Sequence, residues 1–254
     1  MHALKRLALL ATIGLTLAAP GGTTQAASGA DPAARPAPYP DSDKVARVER
    51  LKPAAGSDTV PLLELIHYRD QSVALHFQAS GDSEPGQPLV EVSYAINVNR
   101  QTGEYQATKS ELRLADAEPG AAPSAAHSIK IQAYDPVRAL LHETLATYAW
   151  SWANGTITPR ADHACGPKAP TAAGTNWFQT DCWRNEYLAP TRSEGSVQAT
   201  GKYANSDWGF PGMWTYNHQW VYLSGRTGGG WVIDAWQRPS GEDSYLLSAK
   251  IIYQ

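Results

Sequence analysis

The 254-residue chain has only two cysteines, Cys165 and Cys182, two methionines and three phenylalanines. Two cysteines cannot build a disulfide-dense miniprotein or a four-thiolate zinc site. They leave two readings open, a single disulfide or a reactive thiol. A cationic surplus is also missing. The formal net charge is −3, and Lys5 and Arg6 contribute +2 near the start, so the remainder stands near −5. That balance argues against partners held by bulk positive charge, such as nucleic acid or anionic lipid. No apolar run reaches the about 20 residues a membrane-spanning helix needs. The longest, Leu7–Ala19, follows Lys5-Arg6 and precedes the small residues around Ala26. This is the pattern of a secretory signal peptide over 1–26, which predicts a secreted or periplasmic protein with no membrane contact after cleavage.

Tryptophan is absent from the first 149 residues, and all nine lie between Trp150 and Trp236. The two halves of the chain therefore differ in kind, and low-complexity stretches mark the divisions. Residues 27–43 are Ala- and Pro-rich and read as an extended linker. Residues 44–114 read as a small β-rich domain, with apolar runs at Val60–Tyr68 and Ser72–Ala79. Its clearest strand carries Val90, Val92, Tyr94, Ile96 and Val98 in strict alternation. A second Ala/Pro/Gly-rich stretch over 115–127 reads as a linker to a domain at 128–254, and the joint suggests that 44–114 is a propeptide.

Within 128–254, Asp135-Pro136 can open a helix, with Val137, Leu140, Leu141, Ala149 and Trp152 at helical spacing and Asn154-Gly155 as its end. Thr156–Asp181 reads as a loop. Strands follow at Ser196–Tyr203, Trp214–Leu223, Trp231–Trp236 and Tyr245–Tyr253. A five-residue turn at Ser224–Gly228 sets His218 opposite Asp234, where a carboxylate can hold an imidazole in one tautomer. Cys182, placed by Asp181 at the start of a short helix, is the nucleophile candidate, because a thiol there beside an imidazolium has its pKa lowered. His163, between Asp162 and Cys165, is too tightly spaced for a metal site, so no metal and no cofactor is expected. His67, His76, His127 and His142 read as ordinary strand, linker or helix residues.

The order Cys182, then His218 in His-Gln-Trp-Val, then Gly-Trp-Val-Ile-Asp ending at Asp234, resembles the core of transglutaminase-like cysteine enzymes and of the bacterial protein-glutaminases. The resemblance implies an α+β, papain/transglutaminase-like domain with an antiparallel sheet and a few helices. It also implies a hydrolase or acyl transferase acting on glutamine side-chain amides of a protein or peptide substrate, with Cys182, His218 and Asp234 catalytic. The competing expectation is a disulfide-stapled secreted β-domain that binds carbohydrate or a cell-wall surface through its Trp- and Tyr-rich strands.

Overall fold

The computed structural model describes residues 40–83, 89–99, 102–115, 124–136, 138–167, 176–206, 212, 214–241 and 248–254. The expected signal segment and most of the expected 27–43 linker lie outside these. Residues Pro36–Gln254 form one compact unit, and its described part contains fourteen strands and one short 3-10 turn, Ser42–Lys44, with no α-helix.

The strands make two seven-stranded sheets. In the first, β1 (Val45–Arg50), β3 (Leu62–Tyr68), β4 (Val73–Asp82), β13 (Gly230–Gly241), β12 (Thr215–Arg226), β11 (Glu194–Asn205) and β10 (Phe178–Leu188) lie side by side in that order. The second runs β2 (Lys52–Pro53), β6 (Glu104–Ala115), β5 (Leu89–Asn99), β14 (Ser248–Tyr253), β7 (Ser124–Tyr134), β8 (Leu140–Ala153) and β9 (Thr156–Pro167). Pairing is antiparallel except between β2 and β6. In each sheet a block of strands from the first half of the chain joins a block from the second half, at the seams where β4 pairs with β13 and β5 with β14.

Side chains alternate across a strand, so each sheet sends every second residue inward. Leu63, Leu65, Phe77, Val197, Val221, Leu223 and Ile233 from the first sheet meet Tyr94, Ile96, Ile129, Ile131, Tyr148, Trp150 and Ile251 from the second in one core. A sandwich of this kind joins two inner faces. The opposite face of the first sheet carries a second apolar cluster of Ile66, Tyr68, Ala74, Trp220, Tyr222 and Trp236. Residues at the start of the described chain reach this face: Tyr68 Oη donates to the Pro40 carbonyl at 3.0 Å, and Arg238 pairs with Asp41 at 2.9 Å.

The α+β papain-like expectation is therefore wrong, and the error lies in three segments. The expected helix after Asp135 is β8. There His142, Thr144, Ala146, Tyr148 and Trp150 are buried and alternate with more exposed neighbours, and Thr, Tyr and Trp suit a pleated surface. The helical reading picked Leu140, Leu141, Ala149 and Trp152 from the same run, and its Val137 is outside the described residues. Asp135 does cap, but in a hairpin turn: its Oδ1 accepts the Ala139 N–H at 2.6 Å. Likewise Asn154-Gly155, read as a helix stop, is a two-residue turn between β8 and β9 with both φ values positive, 51° and 74°, the geometry that Asn-Gly favours in hairpins. The supposed loop over Thr156–Asp181 holds β9 and the start of β10. The short helix at Cys182 is strand β10 itself, paired along its length with β11.

Candidate functional site

The three expected catalytic residues are not brought together. Cys182 lies on β10 directly opposite Gly201 of β11, and His218 on β12 directly opposite Lys202. Neighbours 201 and 202 point to opposite faces, so sulfur and imidazole do as well. Gly201 belongs to the inner face, where a Cβ would meet Tyr203 Oη at 2.5 Å. The Cys182 sulfur turns inward with it and is bonded to Cys165 of β9, the Cα atoms 6.0 Å apart. β9 and β10 are the last strands of their sheets, so the disulfide closes that edge of the sandwich. A sulfur in a disulfide cannot be the thiolate that acyl transfer requires.

His218 and Asp234 share the outer face but are not neighbours. The β12–β13 strands run on to Arg226 and resume at Gly230, and Gly228 and Gly229 take φ of 86° and 87° in the three-residue turn between them. This register sets His218 opposite Arg238 and Asp234 opposite Tyr222. The expected turn was mis-centred by an even number of residues, which preserved the face and lost the contact. Four strand residues separate the two, about 13 Å at roughly 3.3 Å per residue.

Asp234 has a different imidazole. His76 Nε2 lies 3.1 Å from Asp234 Oδ1, and His76 Nδ1 lies 3.3 Å from Glu64 Oε2. Gln78 Nε2 also donates to Asp234 at 2.7 Å. His76 and Asp234 are both buried. Burial alone would pull the His76 pKa down, but the bonds to Asp234 and Glu64 outweigh it and hold the pKa above the ordinary histidine value. The ring lies between two carboxylates that favour its charged form, with both nitrogens occupied, which suits a structural pin better than a proton shuttle. Sequence alone makes His76 an ordinary strand residue, because only the long-range pairing of β4 with β13 brings it to Asp234. His218 is the reverse case. Burial, helped by Lys202 and Arg238 and opposed by Asp41 and Asp181, lowers its pKa to about 4. Its ring lies edge-on to Trp236, with centroids 4.8 Å apart.

The exposed chemistry is aromatic. Phe178, Trp214 and Tyr216 are 44%, 45% and 47% exposed, although the large apolar side chains further along β12, Trp220 to Leu223, are buried. Register explains their grouping: Phe178 is opposite Ala204, and Ala204 is opposite Tyr216, so the two rings flank a small residue across three strands. Trp214, just before β12, lies nearly parallel to Tyr216, at 14° with centroids 5.9 Å apart, and Phe178 meets Trp214 edge-on at 6.2 Å. The next row along the same face carries an ion pair between Asp181 and Lys202 at 3.3 Å. Further along β10, Trp183 and Tyr187 are also exposed. Among the described residues there is no group of three or more His, Cys, Asp or Glu side chains arranged to hold a metal ion, and no helix is long and apolar enough to cross a membrane. No protein-family model, no curated protein and no solved structure matches the chain.

The disulfide gives a direct prediction. The cysteines are 17 residues apart in sequence, and closing a loop of this size stabilises a fold by about 3 kcal/mol. The double variant Cys165→Ser/Cys182→Ser is expected to lose about that much in urea unfolding. Alkylation of the native protein followed by intact mass measurement is expected to find no free thiol.

Proposed function

We propose that this is an exported, disulfide-stapled β-sandwich that binds carbohydrate, in the form of an extracellular or cell-wall polysaccharide, through the Phe178–Trp214–Tyr216 patch. The observation that carries this reading is the exposed, near-parallel pair Trp214–Tyr216, with Phe178 edge-on beside it, on one face of the sheet. Exposed apolar clusters of this kind mark binding surfaces, and burying such rings without a partner would be the cheaper arrangement for a folded monomer. Flat aromatic faces take the C–H face of a pyranose ring. The adjacent Asp181 and Lys202 supply an acceptor and donors for hydroxyl groups. Strands hold Phe178 and Tyr216, and Trp214 adjoins β12, so little ordering is required on binding.

The disulfide fits an oxidising compartment, in keeping with a leader over residues 1–26. Acyl transfer by Cys182 finds no such support, because its sulfur is bonded and faces away from His218.

Co-sedimentation with insoluble polysaccharides, peptidoglycan and cellulose among them, tests the proposal. Wild-type protein is expected to partition with at least one of them. Trp214→Ala/Tyr216→Ala is expected to bind about tenfold more weakly or worse, since each ring contact contributes roughly 0.5–1.5 kcal/mol. Its unfolding midpoint should stay near that of wild type. Equal binding by the double variant would sink the assignment of the patch.

A further inference from the structure

At the other end of β12, past the β12–β13 turn, a second constellation involves none of the residues of the aromatic patch. Ser83 follows β4 in the first sheet, and His127 lies on β7 in the second. Ser83 Oγ is 2.7 Å from His127 Nε2, and His127 Nδ1 is 2.5 Å from the main-chain oxygen of Gln254. This main-chain oxygen accepts, so Nδ1 carries the proton. In a neutral imidazole Nε2 is then the lone pair, and the Ser83 hydroxyl must be the donor. This is the tautomer and direction that a serine nucleophile and its general base require.

The surroundings hold that arrangement. Burial lowers the His127 pKa below the ordinary value, against the opposing bond to Gln254, and so favours the neutral ring. Trp150 and Trp231 flank the imidazole, with centroids at 5.6 and 4.9 Å. The Ser83 N–H donates to the Gly229 carbonyl at 3.0 Å, which fixes the serine backbone to the turn. Both Ser83 and His127 remain partly exposed. Arg226, paired with Asp82 at 3.8 Å, places a guanidinium on the same rim.

We propose that Ser83 and His127 form a nucleophile–base pair that hydrolyses carboxylic esters, with an apolar acyl group seated against the partly exposed Trp231. Ser83 Oγ attacks the ester carbonyl carbon as its proton passes to His127 Nε2. The bond to the leaving alkoxide breaks, and the alkoxide takes that proton and departs as the alcohol. Water then attacks the acyl-serine and gives a proton to His127. The carboxylic acid leaves, and Ser83 recovers the proton. Gln254 orients the ring through its main-chain oxygen, and the acceleration from the base is expected near roughly 10²-fold.

A fluorophosphonate probe tests this on the wild-type protein: Ser83 Oγ displaces fluoride, and the adduct is located by peptide mass mapping. The expected result is one adduct on Ser83, forming roughly 10²-fold more slowly in His127→Gln. Hydrolysis of p-nitrophenyl butyrate should fall in parallel in Ser83→Ala. Absence of an adduct on Ser83, or an equal labelling rate in His127→Gln, would overturn the proposal. Polysaccharide binding by Ser83→Ala should be unchanged, so the two proposals fail separately.

Discussion

Lowering the pH from 6.5 to 4 is expected to destabilise the protein steeply, by up to about 2.7 kcal/mol per pH unit. Two histidines dominate this, and His127, also held below the ordinary value by burial, adds to it with the same sign. Burial depresses His142 to about 3, against an opposing bond to Gln219, and depresses His218 to about 4. Both are neutral in the folded and unfolded states above pH 6.5 and make no difference there. Below it the unfolded chain takes up two protons that the folded chain refuses until its own pKa values are reached, so stability falls with pH through the window from 6.5 to 4. Each proton contributes about 1.4 kcal/mol per unit. Asp41, Glu64 and Asp70 have pKa values held below the ordinary carboxylate range by their partners, so stability falls further as those groups protonate at still lower pH. Urea unfolding at half-unit pH steps measures the slope. His218→Gln is expected to remove about half of it within the window.

The second large effect is expected at Asp234. Asp234→Ala leaves His76 and Gln78 without their shared acceptor in a buried site, and removing one member of a buried ion pair costs about 3–5 kcal/mol. Asp234→Asn keeps an oxygen for His76 and loses the charge, so it is expected to fall between wild type and alanine. The linkage has a sign that identifies the cause. Because the folded pKa of His76 is raised, its contribution is fully present below pH 6.5 and is lost as the pH rises through that raised value. Wild-type stability should therefore fall on the alkaline side of 6.5, and in Asp234→Ala that fall should shrink. A destabilised variant with an unchanged alkaline slope would show that the ring does not owe its charge to Asp234.

Much of the strand content was legible. The alternating segments around Val90–Val98, Ser196–Tyr203 and Trp214–Leu223 appear as β5, β11 and β12, with ends shifted by a few residues. β8 was not legible because its run, Leu-Leu-His-Glu-Thr-Leu-Ala-Thr-Tyr-Ala-Trp, satisfies a helical stripe and a strand alternation at once, and only pairing with β7 and β9 selects between them. Asp135 and Asn154-Gly155 carried real turn chemistry that fits a hairpin as well as a helix terminus. The disulfide was one of two open readings of the cysteines. The His76–Asp234 contact had no local signal at all, because 158 residues separate its members. The exposed aromatic patch falls between: the tryptophan-rich half was visible from composition, but which rings face solvent depends on the bulge between Gln179 and Asp181 and on the β11–β12 register.

Oxidative footprinting read by mass spectrometry asks directly whether those rings meet a ligand. With a polysaccharide that the protein co-sediments with, Trp214 and Tyr216 are expected to be protected from modification in the bound state, relative to free protein. Equal modification of both residues in the bound and free protein would place the ligand elsewhere and contradict a carbohydrate site on this face.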